Sequence, residues 1–104
     1  MHIQYVDFVL SDDSRRYTFD VVDAVGKIRE FSVIVPLEAF RQSGLKAQDG
    51  PGICYARLVQ ELERESMDLH AGTLLHIETY DILDYLKKQY PRKQSGKRPA
   101  GINP

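Results

Sequence analysis

The sequence is poor in cysteine and contains no long apolar segment. Cys54 is the single cysteine among 104 residues, so the chain cannot form an internal disulfide. No apolar run approaches the roughly 18 residues that a membrane-spanning helix requires. The first residues, MHIQYVDF, also lack the basic and apolar regions of a secretory signal peptide. Together these features predict a cytoplasmic protein.

Acidic residues are missing from the C-terminal end of the sequence. No Asp or Glu follows Asp84, whereas residues 87–98 contain six basic residues. These are Lys87, Lys88, Arg92, Lys93, Lys97 and Arg98. The other residues include eight basic and fifteen acidic ones, so a segment of charge +6 follows a body of charge −7.

This charge asymmetry predicts that the C-terminal segment contacts a polyanion, either nucleic acid or an acidic protein partner. Tyr85 and Tyr90 lie close by in the sequence and are candidates for stacking on bases. The alternative is a tail that only improves solubility, or one that folds back onto the acidic body.

The length and composition fit one soluble domain. Hydrophobic residues make up 42% of the chain and charged residues 28%, which is ordinary for a globular protein with a modest core. The central stretch is residues 27–36, KIREFSVIVP, where apolar and polar residues alternate and Pro36 ends the pattern. Ile28 and Ile34 make its second face apolar too, which predicts a central strand covered on both faces.

Two further strands are predicted before this one, in residues 3–10 and 15–22, and short turns join all three into an antiparallel meander. In the first strand, Ile3, Tyr5 and Val9 are expected on one face, with Asp7 interrupting it. Val6, Phe8 and Leu10 are expected on the other face. A strand that is apolar on both faces and comes first in a meander is a candidate sheet edge. We therefore expect a homodimer formed through residues 3–10.

The second half of the sequence predicts three helices and a last strand. Residues 37–41 form a short helix, and residues 53–69 have an apolar stripe that is typical of an amphipathic helix. Residues 74–80 form a fourth strand, and Asp81 caps a helix that extends to about residue 90. Residues 91–104 contain three prolines and two glycines and are expected to form a disordered tail.

These elements predict an α+β domain over residues 1–90. Its sheet has four mainly antiparallel strands, the elements follow in the order β-β-β-α-α-β-α, and the helices pack on one face.

Residues 15–80 resemble a family of small bacterial α+β domains of unknown function. The resemblance rests on the strand at residues 17–22, the glycine before residues 27–35, residues 37–40 after that strand, the helix at residues 55–69 and the strand at residues 74–80. It implies a fold of two or three strands, two helices and a closing strand, and a bacterial setting. It implies no catalytic or binding residue, because the family has no assigned activity to transfer.

The sequence offers few groups for catalysis or metal binding. The three histidines, His2, His70 and His76, have no close metal-ligand spacing, although His76 and Glu78 are predicted to share a strand face that is otherwise solvated. Cys54 is expected near a helix N-terminus, which could lower the pKa of its thiol, but a buried structural cysteine is the simpler interpretation. No metal or cofactor is predicted.

Two loop motifs have both a functional and a structural interpretation. Four carboxylates near the predicted turns could hold a cation or act as acid and base, but turn chemistry accounts for them equally. They are Asp12, Asp13, Asp20 and Asp23. The sequence Gly50-Pro51-Gly52 before a helix could bind an anion through backbone N–H groups, or could be an ordinary entry into the helix.

The sequence therefore favours a small non-enzymatic binding or adaptor domain whose basic C-terminal segment contacts its partner. The alternative is a self-associating interaction protein with an incidental tail. A small hydrolase-type enzyme that uses the turn carboxylates or Cys54 is the least favoured hypothesis, because the sequence contains no recognisable pair of a nucleophile and a general base.

Overall fold

A computed structural model of the chain describes residues 1–65 and 72–90. The four strands are β1 (His2–Leu10), β2 (Ser14–Val22), β3 (Ile28–Pro36) and β4 (Leu74–His76). The helices are α1 (Ala39–Gln42), α2 (Gly50–Glu65) and α3 (Thr79–Gln89), with a 3-10 turn at Ala47–Asp49 before α2. The predicted α+β fold and the order of its elements are confirmed. The predicted tail, residues 91–104, lies outside the described residues.

The sheet is mixed, with its strands in the order β1-β2-β3-β4. β1, β2 and β3 form the predicted antiparallel meander, and β4 lies parallel to β3 because the chain returns through α2. β4 is shorter than predicted. Helix α3 begins earlier than predicted, with Glu78 as its N-cap. The Asp81 carboxylate stabilises this start because it accepts the backbone N–H of Glu78 at 2.8 Å. Asp81 therefore lies in the first turn of α3 rather than at its N-cap.

The hydrophobic core lies between one face of the sheet and the helices. β2 and β3 contribute large side chains to it, among them Phe19 and Phe31, while α2 contributes Ile53, Cys54 and Leu58. α3 packs beside α2 and adds Ile82. The expected cover on both faces of β3 is wrong, since Ile28 is exposed and the opposite face of the sheet carries polar residues of β2 and β3.

α2 begins three residues earlier than predicted and is turned slightly about its axis. Its first turn accepts Pro51 because that position has no intrahelical partner for an N–H group. In the sequence, Tyr55 belongs to the apolar stripe of this helix and Glu61 to its polar side. In the structure Tyr55 is half exposed and Glu61 is buried. The last part of the predicted helix, residues 66–69, falls outside the described residues.

Glu61 is buried because it links α2 to the chain segment before β4. Its carboxylate accepts the backbone N–H of Gly72 at 2.9 Å and pairs with Arg57 at 3.0 Å and Arg64 at 3.3 Å. The hydrogen bond from Gly72 is the main reason that the pKa of Glu61 lies below its ordinary value, and the two arginines lower it further. A second link, between Arg29 of β3 and Glu65, uses two hydrogen bonds of 2.7 and 2.8 Å.

We predict that Glu61→Gln destabilises the domain in a pH-dependent way. A carboxyl group with a lowered folded-state pKa stabilises the fold above its unfolded-state pKa of about 4.3, and this contribution disappears as the pH falls through the folded-state pKa. The variant should lose about 1–3 kcal/mol of unfolding free energy at pH 7, and its difference from the native chain should shrink below about pH 4.

Urea melts at several pH values measure this effect. Glu38→Gln, an exposed substitution, is the control and should stay within about 0.5 kcal/mol of the native chain at every pH. A Glu61→Gln deficit that is constant from pH 7 to pH 3 would contradict the assignment of the lowered pKa.

Candidate functional site

β1 forms one edge of the sheet and is unusually apolar for an edge strand. Within residues 1–65 and 72–90 it pairs with β2 alone, so one row of its backbone N–H and C=O groups faces outward. Five of its large apolar side chains are between 40% and 60% exposed. We call these five residues the β1 surface: Tyr5, Val6, Phe8, Val9 and Leu10.

A β-bulge at Val6 determines which face each side chain of β1 occupies. Tyr5 is opposite Phe19 and Asp7 is opposite Thr18, so Val6 has no residue opposite it. The extra residue shifts the alternation by one position. The predicted faces of residues 3–10 are therefore wrong after Val6.

Because of this shift, β1 presents one nearly continuous apolar row on the side of the helices. Directly opposite residues of antiparallel strands share a face. Ile3, Tyr5 and Phe8 are opposite Val21, Phe19 and Tyr17, which are the buried core residues of β2. Leu10 completes the row.

Aromatic contacts fix this row to the core. The Tyr5 ring centroid is 5.5 Å from that of Phe19, and the Phe8 ring stacks on Tyr17 at 5.4 Å. Arg15 places its guanidinium 5.1 Å from the Phe8 ring centroid and 4.7 Å from that of Phe40. Tyr5 and Phe8 are therefore held in position although each is more than a third exposed.

The helices leave the β1 surface open. α2 packs on β2 and β3, and between α2 and the start of β1 lies a groove of about 270 Å³. Met1, Ile3 and Val59 are among the apolar residues that line it. The surface thus combines an unpaired backbone edge with an apolar row and a groove, which is an arrangement suited to binding an extended chain.

The residues considered for catalysis are not brought together. Cys54 has no exposed surface, which confirms the interpretation as a buried structural cysteine. Burial raises the pKa of its thiol, so the alternative of a pKa lowered by the helix N-terminus is wrong. His70 lies outside the described residues, and β4 ends at His76, before Glu78. Among the residues that the structure describes, no three His, Cys, Asp or Glu side chains cluster in a way that could hold a metal ion.

The Gly50-Pro51-Gly52 motif has a packing explanation. A Cβ atom on Gly50 would overlap the hydroxyl end of Tyr17, and a Cβ on Gly52 would lie 2.6 Å from the Tyr85 hydroxyl oxygen. The two glycines allow tyrosine side chains to lie directly on the first turn of α2. This close packing of Tyr17 and Tyr85 accounts for both glycines as structural residues.

The C-terminal cations are only partly described. Lys87 and Lys88 are exposed in the last turn of α3, where Lys88 pairs with Asp84 at 3.1 Å. The other four basic residues of the predicted site lie outside the described residues: Arg92, Lys93, Lys97 and Arg98.

The two tyrosines proposed for stacking occupy different environments. Tyr85 is half-buried against Gly52. Tyr90 is more exposed, and its hydroxyl donates to the Asp49 carboxylate at 3.0 Å, which raises the pKa of Tyr90. The Lys46 ammonium lies 5.4 Å from the Tyr90 ring centroid. Sequence reasoning missed Lys46 because it belongs to a distant loop.

No family model matches this chain, and neither the curated proteins nor the solved structures include one with detectable similarity to it. The resemblance of residues 15–80 to a family of small bacterial domains therefore stays a prediction. In the part of the chain that the structure describes, no helix is both long and apolar enough to cross a membrane.

We predict that Gly52 and Tyr85 are energetically coupled. Gly52→Ala should destabilise the domain because its methyl group meets the Tyr85 hydroxyl, although alanine is otherwise the better helix former by about 1 kcal/mol. Tyr85→Phe removes that oxygen and leaves the nearest ring atom 3.4 Å away, which is an ordinary contact.

A double-mutant cycle measured by urea denaturation tests this coupling. The double variant should be more stable than the sum of the single effects, by about 0.5–3 kcal/mol. The control is Gly26→Ala with Tyr85→Phe, because a Cβ atom added at Gly26 would meet nothing within 4 Å and this substitution should act independently. A coupling energy of zero for Gly52 would show that Tyr85 does not pack there.

Proposed function

We propose that this chain is a non-enzymatic interaction domain that binds a protein partner along the outer edge of β1. The observation that supports this most strongly is the exposure of the β1 surface. Soluble monomeric proteins seldom expose a contiguous apolar patch without a binding role. An extended chain added beside β1 would bond to its free backbone groups and cover its apolar side chains.

The design of the two sheet edges supports the same proposal. β4, at the opposite edge, has only three residues, and a short strand offers little for another chain to pair with. β1 has nine residues and contains no lysine and no proline, the residues that commonly protect an edge. The bulge at Val6 is its single irregularity. It places Phe8 and Leu10 on the same face as Ile3 and Tyr5, whereas Val9 lies on the opposite face.

Peptides selected from a random displayed library against the full-length protein test this proposal. We expect extended peptides with alternating apolar residues. Leu10→Ser should weaken their binding about fivefold, because about 1 kcal/mol of apolar burial is lost, and Val9→Ser should act similarly.

The control is Val25→Ser, which changes an apolar residue that is 88% exposed in the turn between β2 and β3. It should leave the affinity unchanged. If the selected peptides bind the Leu10→Ser and Val25→Ser variants equally well, the binding site is not β1.

A second function, polyanion binding at the C-terminal end, is supported by the position of Lys46. It adds a cation beside Tyr90, the residue that follows α3, and the last turn of α3 carries the exposed Lys87 and Lys88. Lys87 and Lys88 are the first two cations of the basic segment, residues 87–98, whereas Lys46 comes from a distant loop. We propose that Lys46 extends this segment, and that nucleic acid or an acidic protein surface is bound mainly by electrostatic attraction.

Oligonucleotide binding at increasing salt concentrations tests this second function. With the six C-terminal cations the log–log slope on duplex DNA should be no steeper than about −5, and Lys46 can add at most about one more unit. Lys46→Ala should make the slope shallower by up to about one unit, and deletion of residues 91–104 should remove most of the binding.

Lys27→Ala, in the turn between β2 and β3, is the matched control and should leave the slope unchanged. Equal slopes for the Lys46→Ala and Lys27→Ala variants would exclude Lys46 from the site. Binding that persists after the deletion would place the site on residues 1–90.

A further inference from the structure

We propose that the partner of β1 is β1 of a second copy of this chain, paired antiparallel about a two-fold axis at Tyr5. The two four-stranded sheets would then form one sheet of eight strands. This inference rests on the proposed function of β1 as a binding edge and adds the identity of its partner and the register of pairing.

The bulge makes β1 complementary to itself. In a two-fold antiparallel pair, each residue must face a residue whose side chain lies on the same side of the sheet. With the axis at Tyr5 and the Val6 bulge in both copies, Ile3 faces Phe8 of the second copy. Met1 then faces Leu10, so the whole apolar row beside the helices pairs with itself. Without the bulge, Phe8 and Leu10 would lie on the opposite face from Ile3 and Tyr5.

The polar residues of β1 select this register over its neighbours. Asp7 is the one carboxylate of β1. In the Tyr5-centred register it faces Gln4 of the second copy, whose amide can donate a hydrogen bond to it. An axis at Asp7 would bring two carboxylates directly opposite each other, which is destabilising. An axis at Gln4 would leave Val9 and Leu10 without partners.

The Tyr5-centred register also uses the full strand. Every residue from Met1 to Leu10 except the bulged Val6 gains a partner, and His2 faces Val9 on the polar side. The apolar groove beside Met1 and Ile3 then lies next to Phe8 and Leu10 of the second copy. The exposed apolar side chains become the centre of an interface with the two sheets on either side.

Cysteine cross-linking in the full-length chain tests the register. Facing Cα atoms in an antiparallel pair are about 4.5–5.5 Å apart, within the span of a disulfide. Tyr5→Cys should therefore form a disulfide-linked dimer under mild oxidation. Val9→Cys is the control, because its two copies would be about 20 Å apart. The native thiol of Cys54 is fully buried and does not compete.

A mixture of two other cysteine variants tests the same register in case Tyr5→Cys fails to fold. Ile3→Cys and Phe8→Cys should cross-link when mixed and neither should do so alone. Light scattering on the native chain should give about 24 kDa, twice the 11.9 kDa of one chain, and should fall towards the single-chain mass on dilution.

The outcomes separate this inference from the proposed function. If the mass is that of a monomer at every concentration, and Leu10→Ser still weakens the binding of the selected peptides, the second copy is not the partner of β1. The proposal that β1 is a binding edge would then stand. A monomeric mass without peptide binding would overturn both. Cross-linking of Asp7→Cys instead of Tyr5→Cys would keep the dimer and overturn the register.

Discussion

One helix, α2, is too narrow to cover the whole sheet, and the exposure of β1 follows from this limited cover. Four strands spaced about 4.8 Å apart span about 14 Å between the outer strand axes, whereas a helix with its side chains is about 10–12 Å wide. α2 is placed over β2 and β3, and α3 packs beside it. Among residues 1–65 and 72–90, no helix covers β1, and the apolar side chains of that strand are exposed.

Tight contacts hold α2 in this central position. Tyr17 and Tyr85 lie against its first turn at Gly50 and Gly52. Glu61 and Glu65 link its last turns to Gly72 and Arg29. These constraints at both ends prevent α2 from sliding towards β1, so the exposure of the β1 surface is a built-in property of the fold.

The alternation of residues in β2 and β3 predicted those strands well, because their buried and open faces obey a strict period of two. In β1 the same rule failed, since the period breaks at the Val6 bulge. Asp7 was the available signal, because it interrupts the predicted apolar face of residues 3–10 and directly follows the bulge.

The remaining differences between the predicted and the observed structure come from contacts between residues distant in sequence. Glu61 matched the outer face of an amphipathic helix, and its burial depends on the N–H of Gly72, eleven residues away. Lys46 joined the C-terminal cations only through the packing of Tyr90 on the loop before α2. No periodicity within one element encodes such contacts.

Backbone amide exchange in β1, measured on the full-length protein over a hundredfold range of concentration, tests the central claim most directly. If β1 pairs with a second copy, the amides of residues 2–10 that do not bond to β2 become protected as the concentration rises, while those of β2 and β3 stay unchanged. Exchange in β1 that is equally fast at all concentrations, and is also unaffected by the selected peptides, would contradict the account of this strand as a binding edge.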